Sequence, residues 1–323
     1  MSEPILQIRD LTVTFATPLG PLVAVRGVDL DVGAGELVAV VGESGSGKSV
    51  SFLAAMGLLP STATVQGSVM LDGVQLVGAS AKQMRSVRGR LLSMIFQDPL
   101  SALNPVHRIG AQISEMLRAH QKMSERAARA RAVELLEVVG IPQPGDRAMQ
   151  YPHEFSGGMR QRVVIAMAIA NSPKVLIADE PTTALDVTVQ AQILEVIQKV
   201  QKQFGTAVVL ITHDLGVVAR VCDRVNVMYA GRFVERAAVS DLFDAPTHPY
   251  TRGLLASLPQ AGKERLVPIV GFPPNMLRPP SGCAFRARCA DAISDCEHAV
   301  PELRAVGAAQ SACIRAAELM QPR

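Results

Sequence analysis

Short apolar runs that end in polar residues recur along the chain and predict the strands of a parallel sheet. The three clearest runs are residues 36–41, 174–180 and 207–214. Each is rich in aliphatic and β-branched residues, which is typical of strands buried on both faces. Residues 5–15 alternate apolar and polar positions, and residues 67–80 place Asp72-Gly73 between two short runs, so antiparallel strands and a hairpin are expected there.

A helical region separates the first and second of these runs. Residues 109–139 carry apolar side chains at helical spacing, and a Gly- and Pro-rich stretch ends the pattern. Residues 163–170 predict a further apolar helix, so we expect an α/β fold with an inserted helical subdomain at about residues 98–172. Residues 225–232 predict the last strand and turn of the core, and residues 236–282 predict an irregular linker and docking region.

Composition limits the class of protein. The chain has 323 residues, of which 48% are hydrophobic, enough for a large core and an added module. A net charge of +3 argues against a surface dedicated to nucleic acid. No apolar run approaches the roughly 18 residues of a membrane span, and the first residues lack the basic and apolar regions of a signal peptide. We therefore expect a cytosolic protein or one peripheral to a membrane.

A glycine-rich segment after the first apolar run carries the strongest chemical signal. The segment is Gly42-Glu43-Ser44-Gly45-Ser46-Gly47-Lys48-Ser49, which fits the phosphate-loop pattern G-x-x-x-x-G-K-[ST]. A helix predicted at residues 50–59 completes the strand, loop and helix that the motif requires. We expect Lys48 to reach the β and γ phosphates and the Ser49 hydroxyl to bind Mg²⁺. A chance Gly/Ser loop is the alternative, which the flanking elements disfavour.

Polar residues also follow the other predicted strands. Asp179 is placed to hold Mg²⁺ through water, and Glu180 to accept a proton from the attacking water. An exposed acidic turn is the alternative for this pair. Gln97 could ligate a metal, orient water or simply cap a loop. His213 could contact the γ-phosphate, although a lone His is more often structural.

Two further groups have both a functional and a structural interpretation. Ser156-Gly157-Gly158 opens the apolar helix and forms either an anion site at its N-terminus or only a helix cap. Phe15 could stack on an adenine ring, but its spacing alone favours ordinary core packing. The choice between the functional and the structural interpretation depends on the neighbouring motifs.

Taken in order, these motifs resemble the ATP-binding cassette (ABC) ATPases over about residues 5–235. The resemblance implies a P-loop NTPase fold, with a RecA-like core, an antiparallel β subdomain and a helical signature subdomain in an ATPase domain at residues 1–235. It implies ATP and Mg²⁺ as ligands. It also implies that two such domains pair head to tail, so that each ATP lies between one phosphate loop and the partner domain's Ser-Gly-Gly segment.

The resemblance assigns roles to individual residues. Glu180 becomes the catalytic base, Gln97 the coupling residue and His213 the switch, while Asp186 of Ala184-Leu185-Asp186 lies in a loop that communicates across the dimer. Mg²⁺ is expected to be held by Ser49, Gln97 and Asp179. The residues expected to contact the nucleotide are Phe15, Ser44, Gly45, Ser46, Gly47, Lys48, Ser49, Val50, Ser156, Gly157, Gly158 and Gln161.

The chain departs from the commonest family motifs at three positions. Phe155 and Met159 flank Ser-Gly-Gly where Leu and Gln are common, and Val50 follows Lys48-Ser49 where Thr is common. The phosphate-contacting Ser-Gly-Gly core and the metal-binding Ser49 are intact, so we expect function to be retained.

Four segments resemble more narrowly the ATPase subunits of dipeptide and oligopeptide importers. They are residues 95–99, 103–105, 178–188 and 248–251. This resemblance implies a peripheral position on the cytoplasmic face of the bacterial inner membrane, docked on two transmembrane permease subunits. It also implies a second, non-identical ATPase subunit and a periplasmic binding protein that delivers the substrate.

Two alternatives to peptide import stay open at this point. Nickel and glutathione importers belong to the same group, so the substrate class could differ. A soluble cassette protein of DNA repair or translation is a different class of ABC ATPase. One cassette, no long heptad run and no basic face disfavour it, and no nucleic acid is expected as a partner.

Four of the five cysteines cluster near the end of the chain. Cys283, Cys289, Cys296 and Cys313 have a C-x5-C-x6-C-x16-C spacing. In a cytosolic chain such a cluster is more often metal-binding than disulfide-bonded. Four thiolates fit an iron–sulfur cluster or zinc. The spacing matches neither the C-x2-C pattern of zinc ribbons nor the cysteine runs of ferredoxins. Arg286 and Arg288 would favour the thiolate forms.

The importer family carries a Cys-rich C-terminal extension, here residues 236–323, which in some members resembles a [4Fe-4S] site. We rank an iron–sulfur cluster first, zinc second and four unligated thiols third. A cluster that senses iron or redox state and gates the ATPase is a further hypothesis, compatible with transport. Cys222 stands apart from the cluster and is expected to be a small apolar core residue.

Overall fold

The computed structural model of the chain describes residues 3–183, 185–258 and 268–320. Ala184 and residues 259–267 of the expected linker lie outside these ranges. The strands are β1 (Leu6–Thr17), β2 (Gly20–Val32), β3 (Leu37–Val41), β4 (Ala63–Leu71), β5 (Val74–Gln75), β6 (Leu92–Ile95), β7 (Val175–Asp179), β8 (Ala207–Thr212), β9 (Arg224–Tyr229), β10 (Arg232–Ala238), β11 (Arg304–Val306) and β12 (Ala309–Ser311). The α-helices are α1 (Lys48–Ala55), α2 (Ala81–Val87), α3 (Pro99–Ala102), α4 (Ile109–His120), α5 (Glu125–Val138), α6 (Pro144–Arg147), α7 (Gly157–Ile169), α8 (Val187–Phe204), α9 (Leu215–Val221), α10 (Val239–Asp244), α11 (Pro249–Ala256) and α12 (Ala316–Leu319).

The chain divides into two compact units, each assembled from separated segments. The first unit comprises residues 1–6, 32–37 and 70–210. The second comprises residues 7–31, 38–69 and 211–323. Among the described helices, none combines the length and the apolar character that a membrane crossing requires.

The first unit places helices α2 to α8 around buried parallel strands. Strands β6 and β7 pair in parallel, with Leu92 opposite Val175, and every residue of both strands is buried. Helix α4 buries Ile109, Ile113 and Leu117 at four-residue spacing, as an amphipathic helix does, and it packs against α5 and α7. The residues between α4 and α5 break the long helical pattern of the sequence into two helices.

The second unit is built on a parallel pair of strands that carries the phosphate loop. Strand β3 pairs in parallel with β9, with Val41 opposite Val227. Strand β10 runs antiparallel to β9, β12 antiparallel to β10, and β11 antiparallel to β12. Strands β2, β1 and β4 are neighbours in a separate sheet. The residues that follow the predicted last strand thus continue the same sheet.

The C-terminal part of the second unit shares one apolar core with these strands. Tyr229 at the end of β9, Tyr250 in α11 and Phe285 lie with ring centroids 4.6 to 5.4 Å apart. Aromatic pairs at such separations add about 0.5 to 1.5 kcal/mol each beyond the burial of their area. Phe285 is therefore packed against the strands that position the phosphate loop.

Two predictions from the sequence are corrected by these elements. Residues 236–282 are not an irregular linker throughout, because they contain the end of β10 and the helices α10 and α11. Residues 225–232 do not form the last strand, because β10, β11 and β12 follow. The Pro-rich composition concealed these elements: Pro249 stands at the first position of α11, where its missing N–H costs nothing.

Candidate functional site

The phosphate loop has a backbone that requires glycine. Gly42, Gly45 and Gly47 have φ values of 152°, 76° and 104°. A Cβ atom on Gly42 would lie 2.1 Å from the Met228 carbonyl oxygen, and one on Gly47 would lie 2.6 Å from that of Ala24. Both are below any van der Waals separation, so the loop is pressed against neighbouring backbone in a conformation that other residues cannot adopt.

Lys48 and Ser46 are the buried polar side chains of the loop. Lys48 Nζ donates to the carbonyl oxygens of Gly42, at 2.7 Å, and Glu43, at 3.0 Å. The Ser46 hydroxyl is buried and has no hydrogen-bond partner among the described residues. An unsatisfied buried hydroxyl costs free energy, and a phosphate oxygen in the loop would satisfy it. The loop therefore fits a phosphate-bearing ligand.

Arg288 of the C-terminal region holds the second residue of the loop. Its guanidinium makes two hydrogen bonds to the Glu43 carboxylate, of 2.8 and 2.9 Å, and only 6% of its side chain is exposed. This ion pair, more than any other contact, raises the pKa of Arg288. The Glu43 backbone N–H also donates to the Tyr250 hydroxyl, at 2.9 Å. Both contacts come from the C-terminal region of the chain, and both fix the start of the phosphate loop.

Glu180 in the first unit is held in a strained and well-defined position. It follows the buried Asp179 at the end of β7 and has φ of 46°, a left-handed conformation that is rare outside glycine. Gln97 Nε2 donates to its Oε2 at 3.0 Å, and the Thr183 hydroxyl donates to the same oxygen at 2.9 Å. The structure thus brings Gln97 to Glu180, two residues that the sequence singled out separately. Residues in such strained conformations cluster at active sites.

The Ser-Gly-Gly segment opens the 13-residue helix α7. The Ser156 hydroxyl caps the helix by accepting from the Met159 N–H at 3.4 Å, and Ser156 and Gly157 are exposed. A Cβ atom on Gly158 would lie 2.5 Å from Cγ1 of Val189, so α8 packs too closely for a larger residue. The segment thus places two exposed residues at a helix N-terminus, which suits an anion. The cap and the anion site are compatible interpretations.

The remaining predicted site residues differ in how far they are exposed to solvent. Gln161 is only 2% exposed, and its Nε2 has no hydrogen-bond partner among the described residues. His213 is exposed directly after β8, and Phe15 is half-buried on β1. Asp186 caps α8 by accepting from the Val189 N–H at 2.9 Å. Ser44 and Gly45 are exposed on the loop, and Ser49 and Val50 are half-buried at the start of α1.

The four clustered cysteines line one small cavity. Cys283, Cys289, Cys296 and Cys313 surround a space of about 20 Å³, which holds about one water molecule. Burial raises the pKa of the Cys283 and Cys313 thiols and raises that of Cys289 to about 11. In the parts of the chain that the structure describes, no group of three or more His, Cys, Asp or Glu side chains is placed to hold a metal ion.

The described residues therefore bring the four thiols to one cavity without arranging them as a preformed metal site, and the predicted iron–sulfur cluster is not supported by this arrangement. Arg288 is paired with Glu43, and the charge of Arg286 lowers the pKa of Cys283 by less than burial raises it. The other cysteine, Cys222, packs half-buried against the core, as its sequence context predicts, and burial raises its pKa.

Comparison with known proteins defines the class of protein to which the chain belongs. The family model of the ABC transporter matches residues 25–183. A solved ATP-binding cassette, a dimer in a post-hydrolysis state bound to ADP and Pi, superimposes with a TM-score of 0.65 at 28% identity and covers 72% of this chain and 98% of its own. The cassette cbiO1 of a cbiONQ transporter complex from Clostridium perfringens has a TM-score of 0.64 at 29% identity, covering 75% and 92%. The fold is that of an ABC ATPase.

Closer relatives narrow the family. The model of the oligopeptide/dipeptide transporter C-terminal region matches residues 234–296. The oligopeptide transport ATP-binding protein OppD of Bacillus subtilis is 54% identical, with 90% of this chain and 82% of the relative covered. The dipeptide transport ATP-binding protein DppD of the same organism is 52% identical, covering 93% and 90%, and OppD of Escherichia coli is 47% identical, covering 93% and 90%. The chain belongs to this family of oligopeptide and dipeptide transport ATP-binding proteins.

Proposed function

We propose that this protein binds and hydrolyses ATP to drive the import of dipeptides or oligopeptides. The observation that carries the hydrolysis is the Glu180 carboxylate, held by Gln97 and Thr183 directly after the buried Asp179. The peptide substrate class is supported by the names of the relatives that the chain resembles over more than 90% of its length. None of those relatives is named for nickel or glutathione.

The residues divide the chemistry of ATP hydrolysis between them. Lys48 and the backbone N–H groups of the loop would neutralise the phosphates, and Ser49 with Asp179 would hold Mg²⁺. Mg²⁺ supplies charge neutralisation at the transferring phosphoryl group. Glu180 would take a proton from the attacking water, and ADP and phosphate are released. Gln97, which already donates to Glu180, is positioned to orient that water.

We infer that the protein works as one ATPase of a pair. The exposed Ser156 and Gly157 at the N-terminus of α7 suit the phosphates of a nucleotide held by a partner ATPase. The partner is proposed to be a non-identical ATPase, and the pair to dock on two transmembrane permease subunits. A periplasmic binding protein would deliver the peptide. This assembly places the chain peripherally on the cytoplasmic face of the bacterial inner membrane.

The substrate class is tested by uptake in cells that lack this chain. Cells should lose uptake of labelled dipeptide or oligopeptide and regain it with the wild-type chain but not with Lys48→Ala, which removes the phosphate-binding cation. Nickel and glutathione uptake are measured in the same cells and should not change. Loss of either of these with peptide uptake intact would replace the peptide assignment by that substrate.

We also propose that the four cysteines take up a [4Fe-4S] cluster, with zinc as the alternative. The support is the convergence of four thiols on one cavity and the match of this region to the importer family. Four cysteines are the ligand set of such clusters. Protein purified without oxygen should be brown and contain about four iron and four sulfide per chain, and Cys283→Ser should lower both. One zinc per colourless chain, or no metal at all, would reject the cluster.

A further inference from the structure

A large cavity lies in the second unit, lined by residues outside the phosphate loop. Its volume is about 410 Å³, within the usual range of about 300 to 1,000 Å³ for small-molecule sites. It lies between β2, β10 and the segment 300–303, and none of its lining residues belongs to the loop 42–49. Part of its wall is apolar, formed by Phe233, Val234 and Phe285.

The other part of the wall is basic. Arg26, Arg232 and Arg236 face the cavity, and Asp29 and Glu302 are the acidic residues among its lining. Arg236 has its own partners, because it donates to the Asn226 side chain at 2.8 Å and to the Asp29 carbonyl oxygen at 2.6 Å. Glu302 is exposed at the rim.

Arg26 and Arg232 are close to one another and lack an anionic partner among the described residues. Neither makes an ion pair or a side-chain hydrogen bond with any residue that the structure describes, and Arg232 Nε is fully buried without a hydrogen-bond partner. Burial, and then the charge of Arg232, lower the pKa of Arg26. Two half-buried guanidiniums that repel each other are costly unless an anion lies between them.

We propose that this cavity is a binding site for a small organic anion that carries phosphate or carboxylate groups. The anionic group lies between Arg26 and Arg232, where planar guanidiniums can form paired hydrogen bonds to its oxygens. The body of the ligand packs on Phe233 and Phe285.

The site is linked to the phosphate loop through the turn between β9 and β10. The Arg26 N–H donates to the Gly231 carbonyl oxygen at 2.8 Å, and the Gly231 N–H donates to the Ser46 carbonyl oxygen at 2.9 Å. Arg26 and Arg232 thus flank a residue that is hydrogen-bonded to the loop. An anion in the cavity is therefore able to change the affinity of the loop for nucleotide.

Calorimetry with two chemically distinct probes tests the proposal. Fructose 1,6-bisphosphate and citrate are titrated separately into the full chain carrying Lys48→Ala, which removes phosphate binding at the loop. At least one probe should bind with a stoichiometry of one. The double substitution Arg26→Gln and Arg232→Gln in the same background should weaken that binding about a hundredfold or more. Binding of the bisphosphate alone identifies a phosphate ligand, and binding of citrate alone a carboxylate ligand.

A matched control variant removes two positive charges at exposed positions outside the cavity. Arg85→Gln with Arg90→Gln changes two exposed arginines and should leave the affinity within about twofold. Without probe, the double variant at Arg26 and Arg232 should melt at or above the temperature of the control, because a repulsion has been removed. Absence of binding by both probes, equal binding by the cavity variant and the control, or a lower melting temperature of the cavity variant would overturn the proposal.

Discussion

Glu180→Gln is expected to stop ATP turnover while leaving ATP binding intact. The amide oxygen can still accept the hydrogen bonds from Gln97 and Thr183, so the local structure is retained. A neutral amide cannot take a proton from water, and the loss of a general base lowers rates by about 10²- to 10⁴-fold. The rate of phosphate release and the dissociation constant for ATP, measured on the same preparation, separate the two effects.

The matched control for this variant is Glu134→Gln. Glu134 is an exposed carboxylate on α5, paired with Arg131, and such pairs contribute little. We expect its turnover and ATP affinity to equal those of the wild type. Normal turnover by Glu180→Gln would remove Glu180 as the base and leave the strained backbone at this position without a catalytic explanation.

Arg288→Gln is expected to weaken ATP binding although residue 288 lies far from the loop in sequence. It leaves the Glu43 carboxylate, 26% exposed, without its bidentate partner. Hydrogen bonds to charged groups contribute about 1.5 to 3 kcal/mol, so the dissociation constant for ATP should rise by up to about 10- to 100-fold. The maximal rate at saturating ATP should change much less, because Glu180 and its partners are untouched.

Two further variants separate positioning of the loop from loss of fold. Arg286→Gln removes a neighbouring cation whose nearest carboxylate, on Glu297, is 3.9 Å away and mostly exposed, so it should leave ATP affinity within about twofold. Glu43→Gln combined with Arg288→Gln replaces both charges and should recover part of the affinity, since no carboxylate is left unpaired. If Arg288→Gln binds ATP like Arg286→Gln, the ion pair does not position the loop.

The parts of this site that the sequence predicts are those in which the chemistry is local. The strand, glycine loop and helix around Lys48 form as expected, because each residue needed for them is adjacent in the chain. Strand β7 likewise carries Asp179 and Glu180 at its end, because an apolar run is followed by acidic residues. The contact of Gln97 with Glu180 follows from the pairing of β6 with β7, which places their ends at one edge.

The parts that the sequence does not predict depend on long-range packing. Arg288 and Glu43 are separated by 245 positions, and no periodicity or spacing links them. The available signals for this contact were a glutamate at a variable position of the loop and an arginine in a Cys-rich segment. Gln161 lies on the buried face of α7, which the motif alone cannot show. The cysteine spacing predicts a cluster, and the four thiols do line one cavity, but the spacing does not show how they are arranged around it.

The central claim is that ATP hydrolysis by this chain is coupled to peptide uptake. The most direct measurement is phosphate release by the chain assembled with its permease subunits and partner ATPase in proteoliposomes, with peptide accumulation followed in parallel. Peptide-loaded binding protein should stimulate phosphate release, and Glu180→Gln should abolish both release and accumulation. The account would be contradicted if peptide-loaded binding protein left the rate of phosphate release unchanged, or if the Glu180→Gln variant still accumulated peptide.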